Sequence, residues 1–189
     1  MRLSELTTWP NLITLYRVIA AIPIVLLLLD GSTSALWLAF ILMVGAEISD
    51  ALDGWTARRL QLVSDVGKIL DPLADSFYRV SVFAAFAANR WMPVWILLVM
   101  LWRDVGVAWL RVVAETSKGT LGARNSGKWK AISQGVAQLV VVLAYAVWGA
   151  SLPPSVATGL WIALIGTTLV TAYSLVDYTM DVLGRRQRE

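Results

Sequence analysis

Hydrophobic residues along the chain gather into six long runs, at approximately 11–29, 34–52, 66–88, 93–115, 128–149 and 156–178, with short polar or Gly/Pro-marked breaks between them. Each run is close to the ~20 apolar residues that an α-helix needs to cross the hydrocarbon core of a bilayer. The pattern predicts an all-α, polytopic membrane protein with six transmembrane helices, and a short N-terminal interfacial segment from Met1 to Pro10. The runs use most of the chain, so residues 1–189 are expected to form a single membrane domain. The first run contains Arg17 and lacks both a compact charged n-region and a small-residue cleavage site. It is therefore expected to stay in the mature protein.

Composition strengthens this reading. Of 189 residues 58% are hydrophobic and 15% charged, against roughly 45–50% and about 25% in ordinary globular domains. A soluble domain of this size keeps a large share of its surface in water and could not hide so much apolar area. Several of the ten Trp, including Trp9, Trp55, Trp91, Trp95 and Trp129, fall near run boundaries, where indole rings anchor a membrane interface. Lys and Arg are distributed unevenly between the loops. With the N-terminus cytoplasmic, one side carries Arg2, Arg58, Arg59, Lys118, Arg124, Lys128, Lys130, Arg185, Arg186 and Arg188, and the other only Arg90. Both termini are thus predicted to be cytoplasmic. The pI near 9.4 needs no nucleic-acid partner, because basic residues beside an anionic leaflet account for it.

The side chains that are missing limit the chemistry. There is no Cys and no His, which excludes disulfides, thiolate zinc sites, cysteine nucleophiles and imidazole bases. Acid/base work falls to Asp, Glu, Lys, Arg, Tyr or Ser, and a metal held only by carboxylates would be a hard ion such as Mg²⁺ or Mn²⁺. The segment Gly122-x₄-Gly127-Lys128 resembles a phosphate-binding P-loop, but Trp129 stands where Ser or Thr is required and no strand precedes it.

The candidate chemistry lies between Asp50 and Asp75. Asp50 and Asp53 are spaced i, i+3, and Asp71 and Asp75 are spaced i, i+4, so on helices each pair shares a face. A short turn joins the two helices, which lets four carboxylates converge near the cytoplasmic boundary, since Asp50 lies roughly 24 Å along its helix from Ser34. No Lys or Arg is spaced to pair all four on their own helices, so divalent metal is the economical counter-charge. Two ions roughly 4 Å apart are a familiar arrangement for phosphoryl chemistry. Gly54, Ala57 and Gly67 keep the neighbourhood thin, Pro72 is expected to bend the third helix, and Asp65 reads as that helix's N-terminal cap.

The pattern Asp50-x₂-Asp53-Gly54-x₂-Ala57-Arg58-x₈-Gly67-x₃-Asp71-x₃-Asp75 resembles in full the signature of the CDP-alcohol phosphatidyltransferase family. The resemblance implies a six-helix enzyme of the bacterial inner membrane, usually a homodimer, with its active site open to the cytoplasm. It implies that Asp50, Asp53, Asp71 and Asp75 bind two divalent cations, Mg²⁺ or Mn²⁺, that grip the pyrophosphate of CDP-diacylglycerol. Asp75 would be the general base, Asp53, Gly54, Ala57 and Gly67 would shape the CDP-lipid site, and Arg58 would hold phosphate there.

Other segments bear on the acceptor. Pro10-Asn11 through Arg17, Leu110-Arg111 through Ala114, and Ser126-Gly127-Lys128 through Gln134 are similar to members that use glycerol 3-phosphate. Ser76 and Asp104 depart from that branch, which carries Lys and Glu there. An Arg-Asp pair such as Arg103-Asp104 is shared with eukaryotic-type cardiolipin synthases, so phosphatidylglycerol competes as acceptor, with inositol phosphate a further alternative. Asp104, Arg111 and Glu115 lie close to one helical stripe, and Arg111, Lys128 and Lys130 are the candidates for holding an acceptor phosphate. A divalent-cation transporter would also need intramembrane carboxylates, but it would place them near the midplane and often show internal repeats.

Overall fold

The structure is a computed structural model that describes the backbone of residues 9–60, 65–116 and 124–186, and the side chains of residues 17–49, 72–114 and 124–184. The described residues form six helices: α1 (Trp9–Asp30), α2 (Thr33–Leu60), α3 (Asp65–Ala88), α4 (Val94–Thr116), α5 (Asn125–Trp148) and α6 (Pro154–Arg186). All six predicted helices are present, and no strand occurs among the described residues. Residues 1–8, which include most of the expected interfacial segment, lie outside those described.

Two helices are longer than their apolar runs. α2 continues to Leu60 and α6 to Arg186. A helix does not have to stop where the hydrophobic stretch stops, because Ala, Leu and Arg beyond it are strong helix formers and the backbone bonds stay internal. Pro72 lies inside α3, which is assigned as one helix. Among the described residues, Asn125–Trp148 and Pro154–Gly184 are long and apolar enough to cross a membrane, and Thr33–Ser49 is a shorter apolar helical stretch. Elsewhere charged residues break the runs: Asp75 and Arg79 in α3, Arg103, Asp104 and Arg111 in α4.

Helix ends follow local chemistry. Gly31 and Gly149 adopt φ of 69° and 57° just past α1 and α5, and their N–H groups donate to the carbonyls of Leu27 and Tyr145. This left-handed C-terminal stop suits glycine, which has no Cβ to clash. Ser32 caps α2 by accepting the Ala35 N–H at 3.4 Å, and Asp30 accepts from both the Ser32 N–H and its hydroxyl. Those hydrogen bonds, the side-chain one first, lower the pKa of the Asp30 carboxyl. Past α3, Asn89 Nδ2 donates to the Leu28 carbonyl at 2.8 Å, and Arg90 takes the turn at φ 60°.

The chain forms two compact units. The first comprises residues 1–89 and 138–152, and the second residues 90–137 and 153–189. In the first, α1 packs against α2 and α3. Its core includes Ile24, Leu28, Met43, Tyr78, Phe83 and Phe86, with the two Phe rings edge to face at 5.7 Å. In the second, α4 packs on α6 through Val107, Leu110, Tyr178 and Val182, with Leu175 against them. The outward faces are also apolar, as Ile22, Leu26, Ile41, Trp102, Trp109, Ile162 and Leu169 show.

Gly106 of α4 faces Leu175 of α6, and a Cβ there would lie 2.9 Å from Leu175 Cδ1. Gly106→Ala is expected to cost about 1 kcal/mol of stability, as overpacking of a filled contact does, and Leu175→Val in the same chain should recover most of it. Thermal melting of the detergent-solubilised protein checks this; additive losses in the double variant would show that the two residues do not share the space.

Candidate active site

The signature is carried by two consecutive helices. Asp50, Asp53, Gly54, Ala57 and Arg58 lie on the last turns of α2, and Gly67, Asp71 and Asp75 on the first turns of α3. Both Asp pairs are therefore on helix, as their spacing requires. Of these residues only Asp75 falls among the described side chains; those of Asp50, Asp53, Gly54, Ala57, Arg58, Asp65, Gly67 and Asp71 lie outside them. Among the described residues no three His, Cys, Asp or Glu side chains converge.

Asp75 sits in a charged cluster within the first unit. Arg79 Nε donates to Asp75 Oδ1 at 2.9 Å, and Arg17 Nη1 approaches the same oxygen at 3.7 Å. The far edge of the Arg79 guanidinium holds Glu47, with Nη2 at 3.2 Å from Oε2 and Nη1 at 3.1 Å from Oε1. Arg79 is 4% exposed, and its main-chain carbonyl accepts from Gln138 Nε2 at 2.7 Å. Tyr78 is buried beside this cluster, and its hydroxyl has no hydrogen-bond partner.

The sequence offers no Lys or Arg spaced to pair all four signature carboxylates, but Asp75 taken singly does have cationic neighbours. A guanidinium one turn further along α3 and another from α1 lie against it. The Arg79 spacing, i+4 from Asp75, was visible in the sequence, whereas Glu47 and Arg17 come from other helices and could be found only in three dimensions.

A second cluster lies in the second unit, and it absorbs two residues singled out from sequence. Lys130 is 3% exposed, and its Nζ lies 2.9 Å from Asp104 Oδ1 and 3.2 Å from Oδ2. Arg103 pairs with Asp104 at 3.0 Å, donates to Ser174 Oγ through Nε and Nη2, and lies 5.6 Å from the centre of the Tyr178 ring. Gly127 permits this approach: a Cβ there would sit 3.0 Å from Tyr178 Oη and 3.3 Å from Arg103 Nη2. Lys128 is exposed and Arg111 half-buried, with Arg111 Nε buried and without a hydrogen-bond partner. Glu115 lies outside the described side chains.

A polar seam that the sequence reading passed over joins α5 to α6. Ser126, Lys130 and Gln134 recur every four residues on α5, and Thr167, Thr171, Ser174 and Asp177 form a matching stripe on α6. Gln134 Nε2 donates to Thr171 Oγ1, the Thr167 hydroxyl to the Ser133 carbonyl, and the Ser126 hydroxyl to Asp177. Before α5, Arg124 grips Asp177 through Nε at 2.6 Å and Nη2 at 2.7 Å, and Asp181 through Nη1 at 3.2 Å. These contacts, the hydrogen bonds to Asp177 first, raise the Arg124 pKa further above its ordinary range. The i, i+4 polar periodicity was the signal available in the sequence.

Among the described residues, six helices carry the paired-carboxylate signature on two consecutive members, with buried basic side chains in both units. A sequence profile of the CDP-alcohol phosphatidyltransferase family matches residues 7–172, and the chain belongs to that family of enzymes. It is 33% identical over 155 residues to a Mycoplasma pneumoniae protein named CDP-diacylglycerol–glycerol-3-phosphate 3-phosphatidyltransferase, an alignment covering 70% of this chain and 68% of that one. A Bacillus subtilis protein of the same name is 31% identical over 173 residues, covering 85% and 89%. A Streptomyces coelicolor cardiolipin synthase (CMP-forming) is 33% identical over 106 residues, covering 53% of this chain and 48% of its own length.

The buried Lys130–Asp104 pair is open to a direct test. Lys130→Met and Asp104→Asn are each expected to destabilise the protein, and a double-mutant cycle should give a coupling of roughly 0.5–3 kcal/mol, because each single change leaves the other group short of a buried partner. Denaturation in mixed micelles measures it, and zero coupling would break the pairing.

Proposed function

We propose that this enzyme transfers the phosphatidyl group of CDP-diacylglycerol to glycerol 3-phosphate, giving phosphatidylglycerophosphate and CMP. The observation that carries the proposal is the complete signature on α2 and α3, with its last carboxylate, Asp75, in a built cluster of charges. The Mycoplasma and Bacillus relatives support the choice of acceptor by their names and by alignment over most of the chain.

Asp50, Asp53, Asp71 and Asp75 would hold two divalent cations, Mg²⁺ or Mn²⁺. Carboxylate oxygens are the hard donors such ions prefer, and among the described residues every contact of Asp75 is to Oδ1. When bound, the ions would neutralise the pyrophosphate and stabilise the leaving CMP. Asp75 takes the proton of the acceptor hydroxyl as its oxygen bonds to the lipid-side phosphorus and the bond from that phosphorus to CMP breaks. Gly54, Ala57 and Gly67 shape the CDP site, with Arg58 on phosphate. Arg111, whose Nε is buried and unpartnered, and exposed Lys128 receive the acceptor phosphate, with Lys130 beside them compensating Asp104.

A second acceptor has its own support. The Arg103–Asp104 pair and the Streptomyces relative favour phosphatidylglycerol, which would make the product cardiolipin. Either acceptor fits a homodimeric enzyme crossing the bacterial inner membrane six times, with the site and both termini in the cytoplasm. The apolar outer faces of α1, α2, α4 and α6 support immersion in lipid.

The deciding experiment measures CMP release by the purified protein with Mg²⁺ or Mn²⁺ and CDP-diacylglycerol, offering glycerol 3-phosphate, phosphatidylglycerol or inositol phosphate separately. Release with glycerol 3-phosphate alone is expected, abolished by chelation, and Asp75→Asn should lower kcat by about 10²–10⁴-fold, the usual worth of a general base. Release only with phosphatidylglycerol would move the acceptor. No metal-dependent release with any of the three would overturn this choice of substrates and turn the search to other CDP-alcohols.

Topology can be read independently, because a chain without Cys makes single-cysteine labelling clean. In intact cells, a membrane-impermeant maleimide should label Ser151→Cys between α5 and α6 and spare Ser4→Cys. Labelling of both positions would rule out the proposed orientation.

A further inference from the structure

Arg79 is not part of the eight-position signature, yet it is buried and lies against two carboxylates from different helices. Its Nε is bonded to Asp75, both terminal nitrogens lie within 3.2 Å of Glu47, and its carbonyl is held by Gln138. Glu47 stands on α2 one turn before Asp50, and Arg79 stands on α3 one turn after Asp75. The Glu47–Arg79 bridge therefore ties the two signature helices together one turn beyond their carboxylates.

The contacts of Asp75 are one-sided. Arg79 and Arg17 both approach Oδ1, and no contact among the described residues involves Oδ2. A buried cation that served only to neutralise charge would not need this geometry. The planar guanidinium fork, fixed at its far end by a carboxylate on another helix, holds its Nε in one direction. That direction decides which oxygen of Asp75 is left over.

We propose that Arg79, anchored by Glu47, is a positioning residue: it occupies Oδ1 of Asp75 so that Oδ2 alone serves the acceptor hydroxyl and the cations. This rests on the role given to Asp75 above. Without Arg79 both oxygens of Asp75 become available to a cation and a neighbouring positive charge is lost. Cation binding should then tighten while turnover slows, and a purely structural role would not move the two in opposite directions.

The test uses the full-length purified protein and three variants, Arg79→Gln, Arg79→Lys and Glu47→Gln. Steady-state CMP release gives kcat and KM, Mn²⁺ titration followed by the electron paramagnetic resonance of the free ion gives cation affinity without substrate, and thermal melting monitors the fold. For Arg79→Gln, kcat should fall about 10–100-fold, as when an orienting partner is removed. KM for each substrate should stay within about 3-fold while Mn²⁺ affinity rises about 3- to 10-fold, reflecting the lost positive charge. Arg79→Lys should return Mn²⁺ affinity to the wild-type level but recover only part of kcat, because an ammonium cannot form the fork. Glu47→Gln should lower kcat about 2- to 10-fold with Mn²⁺ affinity held, because it loosens the anchor without exposing Oδ1.

Wild-type kcat in Arg79→Gln, or a joint fall of kcat and Mn²⁺ affinity, would overturn the proposal. If Arg79→Gln does not fold, wild-type kcat in both other variants overturns it instead. A failure of the parent reading is distinguishable, because it shows as absence of metal-dependent CMP release in the wild type itself.

Discussion

Charge removed from water must be compensated by other charge or by hydrogen bonds, and in a chain this apolar that requirement organises both units. An isolated ion in a low-dielectric interior is costly, and losing one member of a buried pair leaves the other uncompensated. In the first unit Arg79 bridges Asp75 and Glu47, and in the second Asp104 lies between Arg103 and Lys130. Each cluster draws on more than one helix. The charges therefore also specify which faces of neighbouring helices meet.

The two clusters differ in how they treat their anion. Both Asp104 oxygens contact Lys130, and Arg103 adds to Oδ1, so the carboxylate is engaged on both sides within the second unit. Among the described residues Asp75 is engaged on one side, at Oδ1. A carboxylate used up by the protein supports the fold, whereas one with an oxygen left over can accept a proton or bind a ligand. This asymmetry distinguishes the candidate base from its structural counterpart better than residue type does.

Around these clusters the packing obeys ordinary steric rules. Gly106 and Gly127 are where a Cβ would press on neighbouring side chains, and Gly31 and Gly149 are where the chain turns through positive φ. Several buried hydroxyls and amide N–H groups of α5 and α6 bond one another or the backbone, as those of Gln134, Thr167 and Thr171 do. In the second unit α5 and α6 meet along a polar stripe, and many outward-facing side chains of both units are apolar.

Much of this protein was legible in its residues taken alone. Six apolar runs announced six helices, because a helix satisfies its own backbone hydrogen bonds within one uninterrupted stretch. The signature from Asp50 to Asp75 announced the family, because eight positions at fixed spacing on two helices can be read along the chain without knowing how the helices pack. The helix ends beyond Leu52 and Tyr178 were less legible, since helical hydrogen bonding continues past the point where hydrophobicity stops. The partners of charge were the least legible. Arg79 lay one turn from Asp75 in plain view, but its bond to Glu47, the approach of Arg17 from α1 and the burial of Lys130 against Asp104 join residues 32, 58 and 26 positions apart. Spacing along one helix determines which residues share a face; only packing between helices decides which faces meet, and with them which charges lie against Asp75.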